Sequence, residues 1–186
     1  MSICILCDAG RVTVEEQQSL ARLQSVVGQK GGRIHVSRSS VGHEEYFVAL
    51  EWRARARDGS LNMGIAYAGH GIAPQFYLEP TGAALLIGVD DTVVHASAGT
   101  EIISAITLPS VFYEFIPVET HHLVLAVHEL GVEALTADGH VLWKHLAGDI
   151  LVSWKVRDGA LELQDQGGAR TRLGLASGGQ ANHGPP

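Results

Sequence analysis

The sequence predicts a mainly β protein built from antiparallel hairpins and meanders, with one helix near its N-terminus. Three Asp-Gly dipeptides separate stretches in which apolar and polar residues alternate. Asp-Gly is a strong signal for a two-residue hairpin turn, and alternation with a period of two is typical of a half-buried strand. A sandwich, a barrel and a partial, propeller-like sheet all remain open as ways to complete such a fold.

The first 32 residues predict a strand and then the helix. Residues 2–8 are mostly apolar and predict the strand. Thr13 and Glu16 have the spacing of a capping box, and apolar residues at helical spacing follow, so the pattern predicts a helix over residues 14–27. Cys4 and Cys7 lie inside the apolar strand rather than at a helix start, where redox-active pairs are found. We therefore expect both cysteines to be small core residues.

Residues 45–67 predict the first hairpin, with its turn at Asp58-Gly59. A two-residue turn at this position sets the register of the two strands. The predicted pairs are Ala56–Leu61, Ala54–Met63, Trp52–Ile65 and Leu50–Tyr67. Every pair is apolar, so the turn and the alternation agree on which face is buried.

Two further hairpins are predicted at Asp138-Gly139 and Asp158-Gly159. The predicted pairs are Glu133–Lys144 in the first, and Trp154–Leu163, Lys155–Glu162 and Val156–Leu161 in the second. The faces of the first hairpin mix apolar and polar residues, which suggests a β-bulge there. Other strands are predicted near 74–79, 84–89, 92–96, 101–107, 110–117, 121–128 and 169–175.

These elements predict one β-rich domain over residues 1–175, followed by a disordered tail at 176–186, which has no apolar anchor. The expected core includes Leu50, Trp52, Ile65, Trp154 and Leu163. No apolar run reaches the roughly 18 residues of a membrane helix, and the N-terminus carries no signal-peptide pattern. We expect a cytoplasmic protein of bacterial type that does not enter a membrane.

Residues 122–164 carry a weak local resemblance. The stretch Ala134-Leu135-Thr136-Ala137-Asp138-Gly139-His140-Val141-Leu142-Trp143 resembles the repeated blade motif of quinoprotein-type β-propellers. Segments near 85–89 and 123–127 are also similar to each other, at an offset of about 38–40 residues that suits a propeller blade. The resemblance implies a local four-stranded meander, without implying a quinone cofactor or a complete propeller.

Charge is distributed unevenly along the chain. The net charge is −7, and residues 79–149 hold ten acids against Lys144 as the single basic residue. Such a segment repels nucleic-acid phosphates but attracts a basic protein. Strand glutamates that point outward are the candidate contacts with that partner: Glu101, Glu114, Glu119, Glu129 and Glu133. Solubility is the plainer explanation of the same charge.

The motifs of known catalytic and metal sites are missing from this sequence. There is no G-x-S-x-G, phosphate-binding loop or dinucleotide fingerprint. His122 and His128 share one face of a strand but lie about 20 Å apart, too far to hold one metal ion. We expect no metal and no cofactor. The row Arg53, Arg55 and Arg57 is a candidate anion-binding stripe, although Glu51 on the same face would partly neutralise it.

The sequence therefore favours a non-catalytic binding protein of the immunity or accessory type, which presents an acidic surface to a basic protein partner. The alternative is a small enzyme whose polar site residues are dispersed along a cleft in the sheet. The motifs do not decide between the two, although the missing catalytic constellation favours binding.

Overall fold

The computed structural model describes residues 2–8, 10–36, 45–55, 60–97 and 103–181. Its elements are β1 (Ser2–Cys7), β2 (Gly10–Gln17), α1 (Leu20–Gln29), β3 (Arg33–Val36), β4 (Tyr46–Ala54), β5 (Leu61–Tyr67), β6 (Gln75–Leu78), β7 (Ala84–Val89), β8 (Thr92–Ser97), β9 (Ile103–Thr107), β10 (Phe112–Val118), β11 (Leu123–His128), β12 (Gly131–Thr136), β13 (Val141–Leu146), β14 (Leu151–Arg157), β15 (Ala160–Asp165) and β16 (Arg170–Gly174). The prediction of a mainly β chain with one helix is confirmed. No described helix has the length and apolarity needed to cross a membrane.

The strands form four sheets that follow one another along the chain. The first sheet has the order β1-β2-β4-β5-β3, and the second and third are four-stranded meanders, β6 to β9 and β10 to β13. The fourth sheet contains β14, β15 and β16. Neighbours pair antiparallel apart from β3 and β5, which run parallel. None of the described sheets closes into a barrel, and four successive sheets are more than the two of a sandwich. The propeller-like alternative therefore fits the described strands best.

The sheets pack face against face through three apolar layers. Trp52 and Ile65 of the first sheet pack with Leu85 and Ile87 of the second. The opposite face of the second sheet packs on the third around Phe112, and the third packs on the fourth through a further set of buried leucines and valines. Alternate residues of β7 and β11 therefore enter different layers. This explains why those two strands are apolar throughout rather than alternating.

The helix begins later than the sequence predicts. Residues 10–17 form β2, which pairs with both β1 and β4, and α1 begins at Leu20 with Ser19 as its N-cap. The Ser19 hydroxyl accepts a hydrogen bond from the Arg22 N–H at 3.2 Å. Val12 and Val14 alternate with polar residues and are buried in the first sheet. Their long-range strand pairing outweighs the local capping-box signal at Thr13.

The register predicted for the first hairpin is wrong by four residues. Trp52 pairs with Leu61 rather than Ile65, and Leu50 pairs with Met63 rather than Tyr67. The connection runs from Ala54 to Leu61, which is longer than a two-residue turn; the predicted turn at Asp58-Gly59 lies outside the described residues. A shift of four keeps every side chain on its predicted face.

The other two hairpins form as predicted. The pairs at Trp154, Lys155 and Val156 have the expected register, and the Asp158-Gly159 turn has the positive φ values, 49° and 70°, of a type I′ turn. Glu133 pairs with Lys144, and the suspected irregularity lies between Ala134 and Leu135.

The expected core is largely confirmed. Leu50, Trp52, Ile65 and Leu163 are all buried, whereas Trp154 is half-buried. Cys4 is exposed on β1, so the prediction of a core position is wrong for it; the side chain of Cys7 lies outside the described residues. Residues 176–181 turn back onto β16 through hydrogen bonds such as that from the Ala181 N–H to the Arg172 carbonyl at 2.9 Å. The expected disordered tail therefore does not hold for these residues, and 182–186 lie outside the described part.

The turn between β7 and β8 ties three of the sheets together. Asp90 is buried, with a φ of 47°, and its carboxylate accepts hydrogen bonds from the N–H groups of Ala68 at 2.8 Å and Gly69 at 3.1 Å. Its backbone carbonyl accepts from the Phe112 N–H at 2.5 Å. One residue of the second sheet thus holds the chain that leaves the first sheet and the strand that starts the third.

Gly88 makes room for the Phe112 ring between the second and third sheets. A Cβ atom at Gly88 would lie 2.1 Å from the ring, and Phe112 is 1 % exposed. We expect Gly88→Ala to force the ring aside and to lower the free energy of unfolding by about 1–3 kcal/mol. Urea denaturation followed by tryptophan fluorescence measures this change.

Gly148→Ala is the matched control, because no atom lies within 4 Å of the position that its Cβ would take. Its free energy of unfolding should stay within about 0.5 kcal/mol of wild type. Equal stability of the two variants would show that the sheets do not depend on the contact between Gly88 and Phe112.

Candidate partner-binding surface

The first strands of the second, third and fourth sheets lie side by side, each with one unpaired edge. β6, β10 and β14 each pair with only one neighbour among the described strands. The Gln75 side-chain amide donates a hydrogen bond to the Tyr113 carbonyl at 2.8 Å, and the rings of Tyr77 and Phe115 lie 6.5 Å apart. These contacts join β6 to β10 and leave side chains of both strands along a common edge.

A β-bulge at the start of β10 brings two of its residues onto Trp154 of β14. The register shifts between Phe112 and Glu114, so Tyr113 and Glu114 both face the fourth sheet. The Tyr113 ring stacks on the Trp154 ring at 5.4 Å between centroids, and the Trp154 indole N–H donates to the Glu114 carboxylate. The bulge therefore fixes the half-buried indole through its face and its N–H at once.

Acids lie beside both tyrosines of this edge. Burial raises the pKa of Tyr77, and the nearby carboxylates of Glu79 and Glu119 raise it further. Burial likewise raises the pKa of Tyr113, with Glu129 adding to the effect. Glu119 is exposed, whereas Glu79 and Glu129 are half-buried. Each tyrosine of the edge thus has at least one carboxylate close to it.

The backbone of Glu129 holds its side chain near Tyr113. Its N–H donates to the Val111 carbonyl at 2.8 Å, and its carbonyl accepts from the Leu151 N–H at 2.7 Å. Glu129 therefore sits between the starts of β10 and β14. We call this region the aromatic-acidic surface. It comprises Tyr77, Glu79, Tyr113, Glu114, Glu119, Glu129 and Trp154.

The structure brings together three of the five acids predicted to contact a partner, namely Glu114, Glu119 and Glu129. Glu133 is instead 4 % exposed on β12, opposite Lys144. Burial raises the pKa of Glu133, and the charge of Lys144 partly opposes that rise. Glu133 is therefore not available to a partner in this conformation. Glu101 lies outside the described residues.

The arginines proposed for anion binding are not equivalent. Arg53 Nε donates to Glu51 Oε1 at 2.5 Å, and Lys30 Nζ donates to Glu51 Oε2 at 2.7 Å. Those bonds lower the pKa of Glu51, and that from Lys30 has the larger effect. The guanidinium of Arg53 is therefore paired, while Arg55 is exposed just beyond β4. Arg57 lies outside the described residues, and the anion-binding stripe remains a prediction.

Ser110 and His128 form the arrangement that most resembles a catalytic pair. The Ser110 hydroxyl accepts from the Leu130 N–H at 2.9 Å and lies 2.8 Å from His128 Nδ1. The tautomer of the ring decides which of the hydroxyl and Nδ1 donates in this hydrogen bond. His128 is fully buried, and Nε2 has no described hydrogen-bond partner. No carboxylate of the described residues bonds to this ring, so those residues do not supply the third member of a hydrolase triad.

The remaining polar groups do not assemble a metal centre. No group of three or more histidine, cysteine, aspartate or glutamate side chains in the described ranges is placed to hold a metal ion. His95 is buried with Nδ1 3.4 Å from the Ser104 hydroxyl, and burial lowers its pKa. We therefore find the aromatic-acidic surface to be the best-formed candidate site.

No protein-family model and no curated protein matches this chain. Among solved structures, it is similar to the dihydro-heme d1 dehydrogenase NirN, a β-propeller, with a TM-score of 0.50 and 12 % identity over 76 % of this chain. The chain spans about a third of that protein, 34 % of its length. At this identity the likeness concerns the fold alone, and it supports a propeller-like arrangement of the sheets.

Two further similar structures have lower scores. A structure of HIRA residues 644–1017 aligns with 97 % of this chain and 52 % of its own, at 10 % identity and a TM-score of 0.48. The computationally designed protein Ika4 aligns with 76 % of this chain and 89 % of its own, at 11 % identity and a TM-score of 0.44.

The buried His128 predicts a loss of stability in acid. Burial lowers its pKa from 6.5 to about 4, so the unfolded chain takes up a proton at a higher pH than the folded chain does. The stability that comes from keeping His128 neutral is present above pH 6.5 and is lost as the pH falls towards 4. Lowering the pH from 7 to 4 should therefore cost wild type about 3 kcal/mol of its free energy of unfolding through His128. The His128→Gln variant should not lose this part.

Urea titrations at several pH values give these free energies. His121→Gln is the control, since His121 is exposed, and its pH dependence should follow wild type. If His128→Gln has the same pH dependence as wild type, His128 is not kept neutral by burial.

Proposed function

We propose that the chain is a non-catalytic binding protein whose aromatic-acidic surface contacts a basic segment of a protein partner. The observation that carries this proposal is the alignment of three strand edges, which places aromatic rings beside carboxylates. Lysine and arginine bind carboxylates through charge-assisted hydrogen bonds and pack on aromatic faces through cation–π contacts. This surface offers both within one row.

The size of the surface suits an extended segment. Tyr113 and Glu119 lie six residues apart along β10 and the short turn that follows it, which corresponds to about 20 Å in an extended strand. A basic segment of about six residues would span this distance. Its cations would meet Glu129 and Glu114 near Trp154, and Glu119 near Tyr77. The Glu79 carboxylate also lies near Tyr77, but one of its oxygens already accepts from the N–H groups of Thr81 and Ala83.

Side chains, rather than strand addition, would recognise the partner. Pro117 lies within β10 and has no N–H to offer to an added strand. The Tyr113 carbonyl of the same strand already accepts from Gln75. The edge is therefore a poor template for β-augmentation, and the aromatic and acidic side chains carry the specificity.

Charge reversal on the surface tests the proposal. A fluorescein-labelled peptide of about ten residues, rich in arginine and glycine, serves as the basic probe in fluorescence anisotropy at low salt. We expect Glu119→Lys with Glu129→Lys to weaken its binding about tenfold or more, because two attractive contacts become repulsive. Glu114→Gln keeps an oxygen acceptor for Trp154 and tests the third acid without a charge reversal.

Asp8→Lys with Glu15→Lys makes the same change in net charge at two exposed positions of the hairpin formed by β1 and β2, away from the surface. This control should bind the probe within about threefold of wild type, since distant exposed charges are screened. If both double variants lose affinity equally, the probe responds to net charge only and the proposed surface is not the site.

A further inference from the structure

The outward face of the fourth sheet is basic, in contrast to the rest of the chain. Trp154, Leu161 and Leu163 turn one face of this sheet to the apolar layer. Because side chains alternate along a strand, their neighbours occupy the other face. That face carries Ser153, Lys155, Glu162, Gln164, Arg170 and Arg172, which we call the basic face.

Two cross-strand rows order these residues. Lys155 lies opposite Glu162, which lies opposite Arg172. Ser153, Gln164 and Arg170 form the neighbouring row. Strands lie about 4.8 Å apart, so the stems of Lys155 and Arg172 are separated by about 10 Å with the Glu162 stem between them. The arrangement gathers three cations around one acid.

The described residues neutralise the cations of the basic face only in part. Lys155 and Arg170 make no ion pair or side-chain hydrogen bond with any described residue, and both are exposed. Arg172 Nε lies 3.9 Å from Glu162 Oε1, too far for a hydrogen bond, and this Nε has no hydrogen-bond partner. The Arg172 side chain is 22 % exposed and that of Glu162 is 46 % exposed. Arg53, by contrast, is held by Glu51 at 2.5 Å.

The same residues line a depression of about 310 Å³. This volume is at the lower end of the range for small-ligand sites, roughly 300–1,000 Å³. It offers one ammonium, two guanidinium groups, a serine hydroxyl and a glutamine amide as hydrogen-bond donors. Guanidinium groups bind oxyanions with paired N–H donors, and three cations whose stems lie within about 12 Å of one another favour a ligand with several negative charges.

We propose that the basic face binds a small, multiply charged oxyanion of the oligophosphate class. Lys155 supplies a point charge, while Arg170 and Arg172 supply forked donors to separate phosphate groups. Glu162 lies between the cations and repels the ligand. This site is distinct from the aromatic-acidic surface and takes a ligand of opposite charge.

Isothermal titration calorimetry with inorganic tripolyphosphate, in a buffer of low ionic strength without divalent cations, tests the proposal. We expect one tripolyphosphate to bind per chain. Lys155→Gln with Arg170→Gln should weaken binding about tenfold or more, since two attractive charges are lost. Glu162→Gln should strengthen binding about threefold or more, because it removes the one acid of the face. A gain of affinity cannot come from a folding defect.

Arg53→Gln with Arg55→Gln is the matched control, because it removes the same number of positive charges from the first hairpin. Its affinity for tripolyphosphate should stay within about threefold of wild type. A larger loss in this control than in the Lys155 and Arg170 variant would place the anion on the arginine row and overturn the proposal. No binding by folded wild-type protein, or no gain with Glu162→Gln, would also overturn it. Citrate binding as tightly as tripolyphosphate would overturn the assignment to oligophosphates.

Discussion

The packing of the sheets depends on the hydrogen bonds of Asp90. A carboxylate buried in an apolar layer is unfavourable unless it is paired or hydrogen-bonded, and here two backbone N–H groups from the end of the first sheet satisfy it. The carbonyl of the same residue receives the N–H of Phe112. The turn at Asp90 is therefore hydrogen-bonded both to the end of the first sheet and to the first strand of the third sheet. These bonds fix the position of both sheets relative to the second. Phe112 then fits over Gly88, where a side chain would exclude it.

The position of Phe112 also determines the geometry of the aromatic-acidic surface. Once Phe112 faces the second sheet, the bulge after it turns Tyr113 and Glu114 towards the fourth sheet, where Trp154 meets both. Three sheets thus contribute one aromatic side chain each, from Tyr77, Tyr113 and Trp154. The aromatic-acidic surface exists only because these three sheets pack against one another. The proposed recognition of a basic segment depends on that packing.

Local signals in the sequence predict the strands and their buried faces, but they set the register correctly in the hairpin of β14 and β15 and not in the hairpin of β4 and β5. The hairpin at Asp158-Gly159 has the predicted register because its turn and its alternating residues lie within a dozen positions. The helix was misplaced because Val12 and Val14 pair with a strand more than thirty residues away. The acids at 114, 119 and 129 stand out in composition, but their aromatic neighbours come from strands far apart in sequence. No single-sequence pattern predicts the stack of Tyr113 on Trp154, since a bulge and a sheet interface produce it together.

The net charge of the chain does not show that it has two surfaces of opposite charge, the aromatic-acidic surface and the basic face. The chain carries −7, yet Lys155, Arg170 and Arg172 surround one acid on the basic face, while the glutamates cluster along the aligned edges of β6 and β10. Over the screening length of about 8–10 Å at physiological salt, a ligand responds to the nearest charges rather than to the total. A basic segment and a small oxyanion can therefore be attracted to different parts of the same molecule. The apolar layer around Leu161 and Leu163 lies between these surfaces, so the fourth sheet presents its basic side outward while its inner side supports Trp154.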